Sequence, residues 1–139
     1  MGGRGRLRRL AGPCGEVWWW RVGHRHRPDG GPCQETLVLY RDGRTDRPAA
    51  RLVFRGGPGR VAGSDAYSHS GLVIDEHGNA ANLHLPSVVR AFVDVVRARE
   101  PAGGEVDCGE VDGWPLLPAI VRCAAEATPG VPPCSPPGP

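Results

Sequence analysis

Residues 71–100 read GLVIDEHGNAANLHLPSVVRAFVDVVRARE, and a change of period within them decides the fold. Leu72-Val73-Ile74-Asp75 is a short apolar run with β-branched side chains, which favour a strand. Glu76-His77-Gly78-Asn79 follows, and Gly and Asn tolerate the positive φ that a tight turn requires. From Ala80 to Leu85 the residues alternate. Ala81, Leu83 and Leu85 point one way, and Ala80, Asn82 and His84 the other. Pro86 stands where a first helical turn accepts proline, and from Ser87 the spacing becomes helical. Val88, Val89, Phe92, Val93, Val95 and Val96 form one broad apolar stripe, with Arg90, Asp94 and Arg97 opposite. Pro101 and Gly103-Gly104 end the helix. Valine is a modest helix former, so a helix over 87–99 depends on packing against something else.

Upstream lie the strands that such a helix can cover. Glu16–Val22 contains Trp18-Trp19-Trp20 and predicts a strand, as do Glu35–Arg41 and Arg51–Arg55; Asp42-Gly43 marks a turn between the last two. Arg60–Ala62 adds a short edge strand after the break at Gly56-Gly57-Pro58-Gly59. Downstream, residues 101–113 read as a Gly- and acid-rich linker. Residues 116–127 form a second helix with Leu117, Ile120, Val121 and Ala124 on its apolar side. Consecutive strands followed by helices predict an α+β domain: a small antiparallel sheet of about five strands packed on the helix of 87–99, with a second helix at the C-terminal end.

The chain has 139 residues, which allows one domain and not two well-filled cores. We place that domain at 15–128. Residues 1–14, rich in Arg and Gly, and residues 129–139, rich in Pro, read as disordered tails. All 17 basic side chains are arginine, and with 21 Gly and 15 Pro this is the coding bias of a high-GC bacterial genome. A net charge of +2 commits to no partner. No segment approaches a membrane span, and no continuous apolar run follows the N-terminal arginines as in a secretory signal. Five cysteines, an odd number without C-x-x-C spacing, point to free thiols and a cytoplasmic location.

The candidate sites each compete with a plainer reading. His24-x-His26 puts two imidazoles on one side of a strand, and Cys33 completes a weak metal set. Arg25 and Arg27 oppose a cation there, no carboxylate stands at ligand spacing, and a polar loop after a strand explains the residues as well. Ser68-His69-Ser70, Asp75 and His77 hold the residue types of a hydrolytic triad without a G-x-S-x-G elbow. Gly56–Arg60 lacks the Lys-Ser/Thr ending of a phosphate loop. The acidic neighbours of Cys108 argue against a nucleophilic thiol. Arg4, Arg6, Arg8 and Arg9 form a basic arm that could contact phosphates.

The remaining candidate is a sheet face. Alternation sends Trp18, Trp20, Val22, Leu37, Leu39, Leu52 and Phe54 beneath the helix. Trp19, Arg21, Tyr40, Arg51 and Arg55 then gather on the other face around Val38 and Val53. Trp, Tyr and Arg are the residues enriched at binding hot spots. The competing expectation is that the second helix covers this face and makes Trp19 core. The leading functional expectation is a non-enzymatic module that binds a protein or small ligand through this face, without a cofactor. The alternatives are a nucleic-acid-binding protein using the arm and the sheet arginines, and a small metal-dependent or hydrolytic enzyme using His24, His26 or His69.

Overall fold

The computed structural model describes residues 7–12, 15–25, 33–41, 48–62, 71–98 and 110–126. The elements in chain order are β1 (Arg8–Ala11), β2 (Val17–Arg25), β3 (Gln34–Arg41), β4 (Ala50–Arg55), β5 (Val61–Ala62), β6 (Leu72–Ile74), β7 (Ala80–Asn82), α1 (Pro86–Ala98), β8 (Glu110–Asp112) and α2 (Leu117–Glu126), with a 3₁₀ turn at Trp114–Leu116 leading into α2. The fold is α+β. A five-stranded sheet runs in the order β1-β2-β3-β4-β8, and a second sheet of three strands runs β5-β6-β7.

The strand count of the main sheet agrees with expectation, but its membership does not. The hairpin of the opening stretch, β6–β7, pairs with β5 and stays out of the main sheet. Its places are taken by two segments that composition assigned elsewhere. Arg8–Ala11, within the expected disordered tail, pairs antiparallel with β2 from Arg8↔Trp20 to Ala11↔Val17. Glu110–Asp112, within the expected linker, pairs parallel with β4. Both segments are short and charged, and edge strands tolerate such composition because only one side is paired.

Alternation along β2–β4 partitions the side chains as expected. Trp18, Trp20, Val22, Leu37, Leu39, Leu52 and Phe54 join Val88, Val89, Phe92, Val93 and Val96 of α1 in one core. Phe54 meets Phe92 edge-to-face at 5.9 Å and Trp114 at 5.2 Å, the geometry aromatic quadrupoles favour. The small sheet adds Ala62, Val73, Ala81 and Leu83 to the same core. The second helix does not lie across the opposite face: α2 packs on α1 and β7, and Leu117 and Ile120 enter the core that contains Trp18 and Trp20.

The turn at 76–79 is built by Asp75. Its Oδ1 accepts the N–H groups of His77 and Asn79, both at 2.9 Å, and its Oδ2 accepts Asn79 Nδ2 at 2.9 Å. Gly78 supplies the positive φ of 84°. Strand β7 is shorter than the alternation suggested. The chain turns at Leu83-His84, and the Leu85 carbonyl accepts the N–H groups of Val88 and Val89. Leu85 is therefore the entry to α1, and its side chain is exposed. On the far side of α1, Arg90 reaches Asp94 at 3.9 Å in the expected i,i+4 pair. Arg97 instead reaches Glu16 at 3.1 Å, just before β2. That contact crosses from helix to sheet, and both Arg90 and Arg97, which sequence placed away from the core, are partly covered.

Candidate functional site

Strand pairing sets out the second face of the main sheet in rows. Arg9 stands opposite Trp19, and Trp19 opposite Tyr40. The next row is Arg21, Val38, Arg51 and Glu110. After it come Gly23, Thr36, Val53 and Asp112, then Arg25, Gln34 and Arg55. All five residues expected on this face share it. Val38, Tyr40 and Val53 are buried although none belongs to the main core. They lie among arginines, whose aliphatic stems cover apolar neighbours while the charged heads stay wet. Arg51 and Arg55 are exposed, and Trp19 and Arg21 are partly so.

Electrostatics hold part of the face in place. Arg21 donates from Nε to the Tyr40 hydroxyl at 3.0 Å, and its guanidinium stands 6.0 Å from the Tyr40 ring centre. Arg55 is paired with the Glu110 carboxylate. Arg25 and Arg51 form no ion pair among the described residues. Arg9, named in sequence as part of the basic arm, and Arg25, read there as loop, join this face through the pairing of β1 and the full length of β2.

The basic arm divides. Arg4 and Arg6 lie outside the described residues, whereas Arg8 and Arg9 belong to β1. Side chains alternate, so Arg9 joins the face of Trp19 and Arg8 lies over Trp20 at 5.4 Å on the core side.

The metal set is not assembled by the described residues. Cys33 is half-buried beside the start of β3, His26 lies outside the described residues, and among those residues no three His, Cys, Asp or Glu side chains gather around a common point. His24 has a different neighbour. Register places Glu35 opposite it, and its Nδ1 stands 3.0 Å from Glu35 Oε1. A carboxylate does therefore stand within reach of His24, brought there across the hairpin rather than along the chain. Glu35 is fully buried. Its Oε1 also accepts the backbone N–H of Gly71, and its Oε2 has no hydrogen-bond partner among the described residues. Burial pushes the Glu35 carboxyl above the usual carboxylate range, against the pull of the Gly71 hydrogen bond and of His24 and His84. This carboxyl ties β3 to the start of the small sheet. A Glu among the alternating residues of an apolar strand was the signal that could have flagged it.

Of the triad residues, Asp75 is spent on its turn. Desolvation works against its ionisation, but the hydrogen bonds from Asn79 and His77 prevail and hold its carboxyl below the usual range. The His77 side chain is 74% exposed and faces Glu76. Ser68, His69 and Ser70, like Cys108, lie outside the described residues. Gly57 and Arg60 bond to each other in a tight turn, with Arg60 Nε donating to Glu76 at 3.2 Å.

Comparison with models of known families, with curated proteins and with solved structures gave no match. No described helix is long and apolar enough to cross a membrane.

Proposed function

We propose that this chain is a non-enzymatic binding module that engages a protein or ligand through the face of Trp19, Arg21, Tyr40, Arg51 and Arg55. The observation that supports this reading most is the one-sided packing of the helices. Helices α1 and α2 share one core beneath the sheet, while on the other face Trp19 and Arg21 are partly exposed and Arg51 and Arg55 exposed. Half of an antiparallel sheet can face water without a function. A solvated face is ordinarily built of small polar and charged residues, whereas this one holds a partly exposed Trp beside a buried Tyr amid arginines. That is the mixture concentrated at interface centres. Arg21 is held by Tyr40, so part of the surface is ordered before a partner arrives, which lowers the entropic cost of association. A cytoplasmic location belongs to the same reading and is supported by an odd number of cysteines without C-x-x-C spacing.

Backbone amide NMR tests the reading. The labelled chain is titrated with a panel of acidic and basic peptides, oligonucleotides and flat aromatic anions. Shifts confined to the rows between Trp19 and Arg55 are the expected result. Shifts that map instead to His24, Glu35 and Gly71 with no response on this face would contradict it.

A further inference from the structure

Within the proposed binding face, and resting on that reading, the structure points to single-stranded nucleic acid as the partner: we propose that its phosphates lie between the arginines and that a base stacks on Trp19. Three independent features carry this. The first is charge. Among the described residues the face holds Arg9, Arg21, Arg25, Arg51 and Arg55 against Glu110 and Asp112, both at the β8 edge. It is more basic than the chain as a whole, whose net charge is +2.

The second is spacing. Arg21 and Arg51 stand in one row, two strands apart, and Arg25 and Arg55 in another. With strands about 4.8 Å apart and about 3.4 Å of rise per residue, the four mark a rectangle of about 10 by 14 Å. Between them lie the neutral residues Gly23, Thr36, Val38 and Val53, the two valines buried and Gly23 and Thr36 partly exposed. Trp19 lies one row beyond. An extended polyanion can lie across such a surface with its charges against the arginines and a flat group on the indole.

The third is Gly23. Glycine in a strand interior costs about 0.5–1 kcal/mol relative to alanine, so its presence asks for a cause. Pairing runs without a bulge from Trp18↔Arg41 to Arg25↔Gln34. Gly23 has no positive φ, and a Cβ added there would meet nothing within 4 Å. Turn, bulge and internal packing are thereby removed as reasons. Close approach to the backbone by something outside is a reason for glycine in a strand that fits these observations.

The test is fluorescence anisotropy of the full chain with a labelled dT12 oligonucleotide over a range of salt. Polyglutamate and a duplex of equal length serve as competitors. The expected result is binding to dT12 that weakens with salt and is displaced poorly by polyglutamate. Trp19→Ala should weaken binding about tenfold through lost stacking. Arg51→Gln should flatten the slope of log affinity against log salt by about 0.7, the share of one phosphate. Gly23→Val should weaken binding while leaving the melting temperature unchanged or higher, an outcome that no folding role predicts. Absence of dT12 binding at about 50 mM salt overturns the proposal, as does a stably folded Gly23→Val chain that binds as wild type. If polyglutamate binds as tightly and responds to the same variants, the partner is an acidic peptide. That result overturns the nucleic acid and leaves the binding face standing. Amide shifts that avoid this face altogether remove both.

Discussion

Because burial raises the pKa of Glu35, the folded chain holds its proton more tightly than the unfolded chain does. The associated stability is fully present below the unfolded value of about 4.5 and is lost as pH rises through the higher folded value. The melting temperature of the wild type relative to Glu35→Gln should therefore fall as pH rises through that interval; a constant difference would show that the carboxyl titrates normally. His24 and His84 face it, and their pull on the carboxyl narrows the interval without reversing its sign. The residue itself was in plain view in the sequence, at an inward position of an apolar strand. What could not be read was its partner. The pairing of position 24 with 35 depends on the register of β2 on β3, and the loop between them is long enough to allow several registers. The metal reading of His24 with Cys33 came from chain spacing alone and had no access to that cross-strand neighbour.

At the scale of elements, helix α1 and the strands beneath it were legible because their periods are unmixed: a stripe at helical spacing after Pro86, and strict alternation in β2, β3 and β4. Strands β1 and β8 were not. They have three or four residues, carry charge, and gain their shape from a neighbour rather than from propensity. The hairpin β6–β7 was recognised from its turn, but which sheet it joins is a tertiary outcome. Two substitutions probe this level. Phe92 is fully buried, so Phe92→Ala should cost about 3–5 kcal/mol in urea unfolding; a variant that unfolds like wild type would remove α1 from the core. At Gly113 an added Cβ would collide with the Phe54 ring, and that ring is gripped by Phe92 and Trp114. Gly113→Ala should cost about 1–3 kcal/mol by overpacking, and an unchanged midpoint would show that the junction of β8 with the 3₁₀ turn yields easily.

For the whole molecule, the consequence of β1 is that residues 1–12 are not dispensable. Their removal uncovers the edge of β2, takes Leu10 from the margin of the core and lifts Arg8 from Trp20. The shortened chain should melt lower and aggregate more readily, since an uncovered edge strand templates further pairing. A deletion that melts as wild type would contradict the pairing. The larger claim is the division of the sheet into a face that both helices cover and a face open to a partner. The three adjacent tryptophans report on it, because alternation puts Trp18 and Trp20 on one side and Trp19 on the other. The alternation was readable from sequence; the side on which α2 lies was not, since an apolar helix face fits either. The most direct measurement is the unfolding free energy of Trp19→Ala beside that of Trp20→Ala, by urea titration of the two variants and the wild type. Trp20 is 2% exposed, and its loss should cost about 3–5 kcal/mol of the about 5–15 kcal/mol that a domain of this size has. Trp19→Ala should cost about 1 kcal/mol or less, as substitutions away from a core do. Equal losses for the two variants would mean that Trp19 is core and that the open face does not exist.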